Sequence, residues 1–419
     1  ATDFGNFNTT LAYSRWNSVR TAHLLDDNFN ETLTQKDSLR HQRLSFRTLF
    51  SNNKNKIRAE LKATYLDYEL HNFDSLANFQ ANGRQKGWLI QPNINKKFQV
   101  RGRMSGSIGL HSMYYTGNDT WSIEPRLQVN NKNISLTVGT QSQMQDPSVY
   151  LSKNAEGELV NKDLKLTKSH HFNLAYNTRK SKYRKNNFVI QTYYQHLFDV
   201  PILNLPESSF SILNDLNNFI TDSLTNDGIG RNFGVEMEYS HTFRSTSYQI
   251  LKMNLSLYQS QYQGGDGTWR NTRYNGNYIL NVFFNKEWEF SKNKKGVSNR
   301  NHTIGLYVRG LYAGGLRKSP INLLLSQSEG RTIFIENEAF SERQKDVVKV
   351  DLRFYWKKVA NKVRKNQQSR QRTYTFALDI QNLTNQKNEA FNYFDPLQGK
   401  IITKYQLGLI PLLSFRMEF

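Results

Sequence analysis

The most regular feature of the sequence is an alternation of apolar and polar residues with a period of two. From residue 405 to residue 419, apolar side chains occupy every second position, and polar or small residues stand between most of them. The same alternation recurs at 251–258, 304–309, 346–356 and 373–381. Successive side chains of a β-strand point to opposite faces of a sheet. Each segment is therefore predicted to be a strand with one apolar and one polar face.

Extended along the chain, the alternation predicts sixteen strands joined by connections that are short and long in turn. The predicted strands cover 7–20, 38–50, 55–69, 84–96, 101–115, 121–130, 133–142, 169–178, 186–196, 231–243, 246–262, 276–290, 302–316, 346–356, 373–385 and 402–419. The long connections are 21–37, 70–83, 143–168, 197–230, 263–275, 317–345 and 386–401, and 116–120 is a short one in a long position. Short periplasmic turns and longer extracellular loops are typical of an up-and-down transmembrane β-barrel. With Phe419 at the periplasmic rim, every long loop is extracellular.

Composition narrows the class of protein. The 419 residues include 56 Lys and Arg against 35 Asp and Glu, a net charge of +21, and no cysteine. Hydrophobic residues make up 37%, below the roughly 45–50% of soluble domains. Aromatic residues reach 13%, too many for a disordered chain, and no apolar run approaches the roughly 18 residues of a transmembrane helix. A nucleic-acid binder and an outer-membrane β-barrel fit these numbers.

The placement of charge and aromatic residues favours the barrel. A soluble β-sandwich also alternates, but here the polar face carries charges in mid-strand and the apolar face is rich in aromatics towards the strand ends. A lipid-facing belt with aromatic girdles around a hydrated interior has this pattern. The short turns are basic, whereas loop 197–230 contains five acidic residues and no Lys or Arg. Basic turns at one rim suit anionic lipid head groups, so no nucleic-acid partner is predicted.

Candidate chemistry is sparse. His170 and His171 are adjacent, so a strand would point them to opposite faces and they could not bind one metal together. No G-x-S-x-G elbow is present to suggest a hydrolase, and we predict neither enzymatic activity nor a cofactor. Binding residues concentrate on loops held by a rigid scaffold. Candidate extracellular contacts are therefore Phe210, Trp269 and Arg270. Phe210 lies in an apolar run that could close the mouth of the barrel, pack on a partner or pack on its own barrel. Trp269 and Arg270 could touch ligand or lipopolysaccharide, or brace their loop.

Several segments together resemble the C-terminal barrel region of TonB-dependent outer-membrane receptors of the Bacteroidota type. They are TQSQMQDPSVYL at 140–151, NKDLKLTKSHHF at 161–172, DVPILNLPESSFSILN at 199–214, GIGRNFGVEMEYS at 228–240, GDGTWRNTRYNGNYILNVFFNKEWEF at 265–290 and the ending at 378–419. Within that ending, NLTNQKN resembles the family's Asn-Leu-(Thr/Phe)-Asn turn before the last loop. Phe415, Met417 and Phe419 resemble the aromatic end that barrel assembly machinery recognises. The resemblance covers about two-thirds of the chain, from residue 140 onward.

The resemblance implies an architecture larger than this chain. The family's barrel has 22 strands, an N-terminal plug and a segment that engages TonB, whereas residues 1–419 supply about sixteen strands and neither of the other parts. We therefore expect residues 1–419 to be the C-terminal part of the barrel of a longer receptor in the cell outer membrane. The implied partners are outer-membrane lipid and lipopolysaccharide, TonB through the part upstream, barrel assembly machinery during biogenesis, and a surface lipoprotein or other outer-membrane subunits.

Three functions stay open at this point. The first is energised import of a scarce ligand, the activity that the resemblance implies. The second is a passive, plug-free porin of about sixteen strands, for which loop 197–230 is the candidate constriction. The third is a structural barrel subunit of a larger outer-membrane assembly. The sequence does not identify the ligand, because any ligand would be bound by variable loops.

Overall fold

The computed structural model describes residues 5–25, 30–74, 79–100, 102, 104–154, 157–178, 186–214, 222–244, 248–292, 300–364 and 367–419. The chain divides into two compact units. The first contains Ala1–Leu174, Tyr193–Asn232 and Gln261–Thr272. The second contains Ala175–Thr192, Phe233–Ser260 and Arg273–Phe419. The predicted turn 179–185 and parts of the turns around 245, 295 and 365 lie outside the described residues.

Nearly all of the described chain is β-strand. In order along the chain, the strands are β1 (Asn6–Leu25), β2 (Glu31–Asn52), β3 (Ile57–Asp74), β4 (Phe79–Gln99), β5 (Met104–Tyr115), β6 (Thr120–Asn131), β7 (Ile134–Gln143), β8 (Thr167–Asn177), β9 (Asn186–Leu203), β10 (Leu224–Arg244), β11 (Tyr248–Gln263), β12 (Trp269–Asn271), β13 (Tyr278–Lys292), β14 (Arg300–Ala313), β15 (Arg317–Lys318), β16 (Glu342–Arg343), β17 (Val347–Arg364), β18 (Gln367–Gln381), β19 (Glu389–Asp395), β20 (Lys400–Tyr405) and β21 (Ile410–Glu418). Two short helices, α1 (Pro147–Tyr150) and α2 (Leu323–Glu329), lie in the connections. Each of the sixteen predicted strands has a counterpart. The short strands β12, β15, β16 and β19 are additions in the loops, and β20 overlaps the start of the last predicted strand. Within the described residues, no helix has the length and hydropathy needed to cross a membrane.

Strands that follow one another in sequence pair antiparallel within each unit. In the first unit, β1 through β7 form successive hairpins. In the second unit, the successive pairs are β11–β13, β13–β14, β14–β17, β17–β18 and β18–β21. This is the up-and-down order that the alternation of short and long connections predicted.

Apolar residues of these strands are exposed on one face. The exposed set on β2–β7 includes Leu44, Phe46, Leu61, Trp88, Ile94, Ile108, Leu110, Trp121, Ile123, Leu127, Ile134 and Val138. In the second unit, the ring centroid of Phe376 lies 5.8 Å from Trp356 and 4.6 Å from Phe415 on the corresponding face. A water-soluble sheet buries such a face, so its exposure fits contact with lipid.

Two predicted loops are wrong, because the strands continue through them. Residues 21–37 and 70–83 were predicted as loops, but β1–β4 run on almost to the ends of these hairpins. In this extension the Nδ2 of Asn72 donates to the Oδ1 of Asp37 at 2.7 Å. In the predicted strands next to it, Arg84 makes two hydrogen bonds of 2.8 and 2.6 Å with Asp67. Polar residues such as Lys36 and His71 stand on the same face as the apolar residues there, so the apolar–polar period is interrupted although the backbone ladder continues. The turn 357–372 was likewise too long, since β17 reaches Arg364 and β18 begins at Gln367.

Loop 197–230 and the last strand also need correction. The loop is shorter than predicted, because β9 ends at Leu203 and β10 begins at Leu224. The final strand, predicted at 402–419, is divided into β20, which pairs with β19, and β21, which pairs with β18. Asn382 causes the division together with Asn385: the Nδ2 of Asn382 donates to the carbonyl of Leu407 at 3.3 Å, and the Oδ1 of Asn385 accepts from the amide of Leu409 at 3.1 Å. Hydrogen bonds from these two side chains thus replace pairing between strands at Leu407 and Leu409.

Candidate ligand-binding cavity

A short helix in loop 143–168 forms the roof of the candidate site. Asp146 caps α1: its Oδ1 accepts hydrogen bonds from the amide of Ser148 at 3.0 Å and from the hydroxyl of Ser148 at 2.6 Å. Pro147 follows at the first helical position, where its missing N–H costs nothing. The sequence Asp-Pro-Ser therefore starts a helix that turns Val149 and Tyr150 inward, and both are buried.

The roof is fixed by an apolar cluster from two loops. Val149, Tyr150, Leu164 and Leu224 form its buried centre, and Phe210 packs against them. Burial raises the pKa of the Tyr150 hydroxyl to about 12. The apolar run around Phe210 thus packs on its own protein, one of the three arrangements that the sequence left open.

A buried asparagine ties the same two loops together by hydrogen bonds. The Nδ2 of Asn161 donates to the carbonyl of Asp222 at 3.0 Å, and its Oδ1 accepts from the amide of Leu224 at 2.8 Å. Asn226 accepts from the amide of Lys165 at 2.8 Å and donates to the carbonyl of Asp199 at 2.9 Å. Because backbone groups of both loops are satisfied in this way, the roof keeps a defined position.

Beneath the roof lies a cavity of about 800 Å³. Met144, Pro147, Ile212 and Leu213 line it from the loop side, and the polar faces of β2–β6 line it from the strand side. Ligand cavities in proteins commonly have about 300–1,000 Å³. This cavity is therefore large enough for a small or medium-sized ligand.

The strand side of the cavity carries an excess of positive charge. Arg43 and Lys62 line it. In the β2–β3 register, Lys62 lies opposite Arg47. The guanidinium of Arg47 is 2.7 and 3.0 Å from the carboxylate of Glu60. Arg43 donates hydrogen bonds to the Nε2 of His41 and to the hydroxyl of Tyr68, neither of which supplies a negative charge. This part of the strand wall thus has three cationic side chains against Glu60, and Asp146 is a further carboxylate that lines the cavity from the loop side.

The other acidic group on the strand side is fully neutralised. Glu124 is 1% exposed, and its Oε2 lies 2.9 Å from the Nδ1 of His111 and 2.7 Å from the Nη2 of Arg126. Its Oε1 accepts from the hydroxyl of Ser122 at 3.1 Å. Ser122 and His111 contact the same carboxylate rather than each other, so the cluster is not a serine–histidine nucleophile. The cavity is suited to bind a ligand that has an anionic group and an apolar part.

Sequence reasoning did not single out the residues of this cavity. Arg43, Lys62, His111 and Glu124 are ordinary members of the polar strand face. Alternation places them on that face, but no local signal shows which of them lie under a loop.

The structure places Trp269 and Arg270 elsewhere in the first unit. Trp269 pairs with Gln263, and the guanidinium of Arg231 lies 4.1 Å from its ring centroid. Arg270 lies 2.9 and 2.7 Å from the carboxylate oxygens of Asp266. Arg270 thereby holds the pKa of the Asp266 carboxyl below its usual range. Both residues are engaged with their own loop, and neither lines the cavity.

The second unit has a smaller cavity of about 340 Å³ between residues 317–344 and the β19–β20 hairpin. Phe334 and Phe391 line it and are each 51% exposed. The guanidinium of Arg317 also lines it and donates to the carbonyl of Asn275 at 3.1 Å and to the Oδ1 of Asn277 at 2.9 Å. Burial lowers the pKa of Arg317. This cavity is a second, smaller contact region on the long loops.

Phe415, Met417 and Phe419 lie on one face of β21 and the residue after it. They are 56%, 38% and 84% exposed. Phe415 contacts Phe376, and the guanidinium of Arg372 lies 5.8 Å from the ring centroid of Phe419. An exposed aromatic end is compatible with recognition during assembly, and that role stays a prediction.

Comparison with known proteins identifies the fold. The outer membrane transporter YddB from Escherichia coli superimposes with a TM-score of 0.60 at 11% sequence identity, over 99% of this chain and 61% of that chain. A bacterial polysaccharide outer membrane secretin gives a TM-score of 0.33 at 10% identity, over 82% and 83% of the two chains, which is too low to support an argument. No protein-family model and no curated protein matches the sequence.

The predicted fold class is confirmed. The chain has the all-β, antiparallel, up-and-down fold of an outer-membrane β-barrel, and it spans about three-fifths of the transporter that it resembles. Within the described residues, sixteen strands correspond to the sixteen predicted ones and five further short strands are present, whereas a complete barrel of 22 strands stays a prediction.

Proposed function

We propose that this protein is the barrel portion of a TonB-dependent outer-membrane receptor that imports a scarce ligand. In this proposal the sixteen strands belong to a 22-stranded barrel. The plug and the TonB-engaging segment belong to the rest of a longer protein. The fold of an outer membrane transporter, matched over 61% of that transporter's length, supports this arrangement.

The cavity under loop 143–168 is the observation that carries the proposal. An ordered roof that covers a cationic wall provides a binding site, whereas simple diffusion through a pore requires none. The surplus charge of Arg43, Arg47 and Lys62 favours a ligand with a carboxylate or phosphate group, and Ile212 and Leu213 favour an apolar part beside it. Binding needs no covalent chemistry, so we propose a transporter and not an enzyme.

The proposed partners follow from the location of each surface. Outer-membrane lipid and lipopolysaccharide would contact the exposed apolar face, and barrel assembly machinery would bind the end at Phe419. TonB would bind the part of the receptor outside this chain. A surface lipoprotein or another outer-membrane subunit would dock on the long loops.

Two measurements on the full-length native protein test the proposal. The first is swelling of liposomes that contain the protein, after transfer to isotonic arabinose. The second is surface plasmon resonance with the purified periplasmic domain of TonB. A receptor should bind TonB and give no swelling. Swelling without TonB binding would identify a passive porin, and neither signal would identify a structural barrel.

The cavity is tested by substitution in cells whose growth depends on the receptor. Lys62→Gln and Arg43→Gln each remove one cationic side chain from the cavity wall, and we expect slower growth because a charge-assisted hydrogen bond contributes about 1.5–3 kcal/mol. Lys54→Gln is the matched control, because Lys54 lies in the turn at 53–56, at the opposite ends of β2 and β3. Equal growth of all three variants would exclude the cavity as the ligand site.

A further inference from the structure

The apolar outer face of the first unit has two adjacent depressions. The larger has a volume of about 690 Å³ and the smaller about 360 Å³. Ile94 and Leu110 line both depressions, and these two residues lie opposite each other in the β4–β5 register. Their side chains therefore form a ridge with one groove on each side.

Compact residues account for the two grooves. Pro125 lies opposite Leu110 and lines the larger groove, whose walls include Ile108, Leu127 and Val138. On the other side of the ridge, Pro92 lies opposite Leu61 and lines the smaller groove together with Ala59. A short side chain among branched aliphatic ones leaves room for a hydrocarbon chain.

Lys96 supplies a positive charge in the larger groove, near the end of the strands where the short turns lie. It is exposed, and it lies opposite Ile108 in the β4–β5 register. The amide of Lys97 donates to the carbonyl of Lys56 at 2.9 Å, which brings the basic turn at 53–56 to the same level. The sequence contains no Asp or Glu from residue 93 to residue 118. Glu60, which lines the smaller groove, is paired with Arg47 at 2.7 and 3.0 Å, so an anionic head group beside Lys96 would meet an excess of cations.

We propose that this surface binds one diacyl phospholipid from the periplasmic leaflet. One acyl chain lies in each groove on either side of the Ile94–Leu110 ridge, and the phosphate pairs with the ammonium group of Lys96. Two grooves beside one cationic group match the two chains and one phosphate of such a lipid. The site requires that the strands span the membrane, but it does not require the import function.

Native mass spectrometry of the full-length protein tests this site. The protein is purified in detergent, delipidated and titrated with dioleoylphosphatidylglycerol, and we expect one lipid to be retained more strongly than the rest. The single-chain analogue 1-oleoyl-lysophosphatidylglycerol has the same head group and should bind more weakly, because it fills one groove. Equal retention of the two probes would overturn the two-groove assignment.

Two substitutions separate the groove from the head-group contact. Pro125→Phe fills the larger groove and should weaken binding of the diacyl lipid about tenfold, the effect of leaving roughly two methylene groups unburied. Lys96→Gln should weaken it about fivefold, since a cation near the membrane surface contributes about 1 kcal/mol. Heat-modifiable gel mobility shows whether each variant is folded.

Matched controls carry the same changes outside the site. Ala63→Phe adds an aromatic ring on β3 outside both grooves, and Lys86→Gln removes an exposed charge from the same face of β4 at the other end of that strand. Both should retain wild-type affinity. The proposal fails if the wild type holds no preferred lipid, or if Pro125→Phe and Lys96→Gln bind as their controls do.

Discussion

The assignment of the two sheet faces can be tested at adjacent positions of one strand. Phe376 of β18 is 49% exposed and lies in register between Trp356 and Phe415. Its neighbour Thr375 points to the opposite face, in register between Lys357 and Arg416. Aspartate introduced at 376 should face lipid, and aspartate at 375 should face a hydrated and cationic interior.

The expected effects differ by several kcal/mol. A carboxylate on the lipid face costs somewhat less than the roughly 2–4 kcal/mol of Arg or Lys at the midplane. Phe376→Asp also loses two aromatic contacts, at 4.6 and 5.8 Å between ring centroids, each contributing about 0.5–1.5 kcal/mol. The sum is a loss of roughly 2–5 kcal/mol. Thr375→Asp should stay within about 0.5 kcal/mol of the wild type, as for most surface substitutions.

Urea titration in phospholipid vesicles measures the difference, with the folded fraction read from heat-modifiable gel mobility. Phe376→Leu is a further control, because it keeps an apolar side chain and should lose only the ring contacts. Equal destabilisation by Phe376→Asp and Thr375→Asp would refute the face assignment. A loss for Phe376→Leu as large as that for Phe376→Asp would show that ring packing, and not lipid exposure, dominates.

Two further predictions concern the chain end and a loop. Deletion of Phe419, which is 84% exposed, should lower the yield of assembled protein in cells and leave the urea stability of the folded fraction unchanged; a normal yield would exclude its role in assembly. The Asp266–Arg270 pair should hold its loop at neutral pH and release it only in acid, because the pKa of Asp266 is lowered in the folded protein. The stabilisation is complete above the pKa of an unfolded aspartate, about 3.9, and is lost as the pH falls through the pKa of Asp266 in the folded state. Amide hydrogen exchange at 264–271, corrected for intrinsic rates, should therefore accelerate in the wild type only below about pH 4. The Asp266→Asn variant should exchange rapidly at every pH. Acceleration of exchange in the wild type already at pH 5–6 would contradict this prediction.

Alternation identified the strands wherever one face is apolar. Val348, Val350, Leu352 and Phe354 predicted a strand at 346–356, and β17 begins at Val347. The prediction failed where polar residues interrupt the apolar face, as Lys36 and His71 do in the extended β2–β3 hairpin. Backbone pairing there depends on a partner strand, and a single strand's sequence carries no record of that partner.

The end of the chain shows a second kind of limit. The resemblance gave NLTNQKN as a turn, and Asn382 and Asn385 both adopt positive φ, at 50° and 49°. The strand predicted at 373–385 ran too far into this turn, since β18 ends at Gln381. The side chains of the two asparagines also bind backbone groups at Leu407 and Leu409, more than twenty residues away, and thereby divide the predicted last strand. Turn preference is local and was visible in the sequence, whereas the long-range hydrogen bonds were not.

The sequence by itself determined the strand order, the apolar and polar faces, and the separation of short basic turns from long loops, because each depends on neighbouring residues along the chain. Only the tertiary structure decided where the cavity lies. Arg43 and Lys62 share a wall because of the register of the whole β2–β3 hairpin, and Ile212 covers it from a loop about 150 residues further along. Register and loop packing are set by contacts between distant segments, so a local pattern places a residue on a face but does not show what covers it.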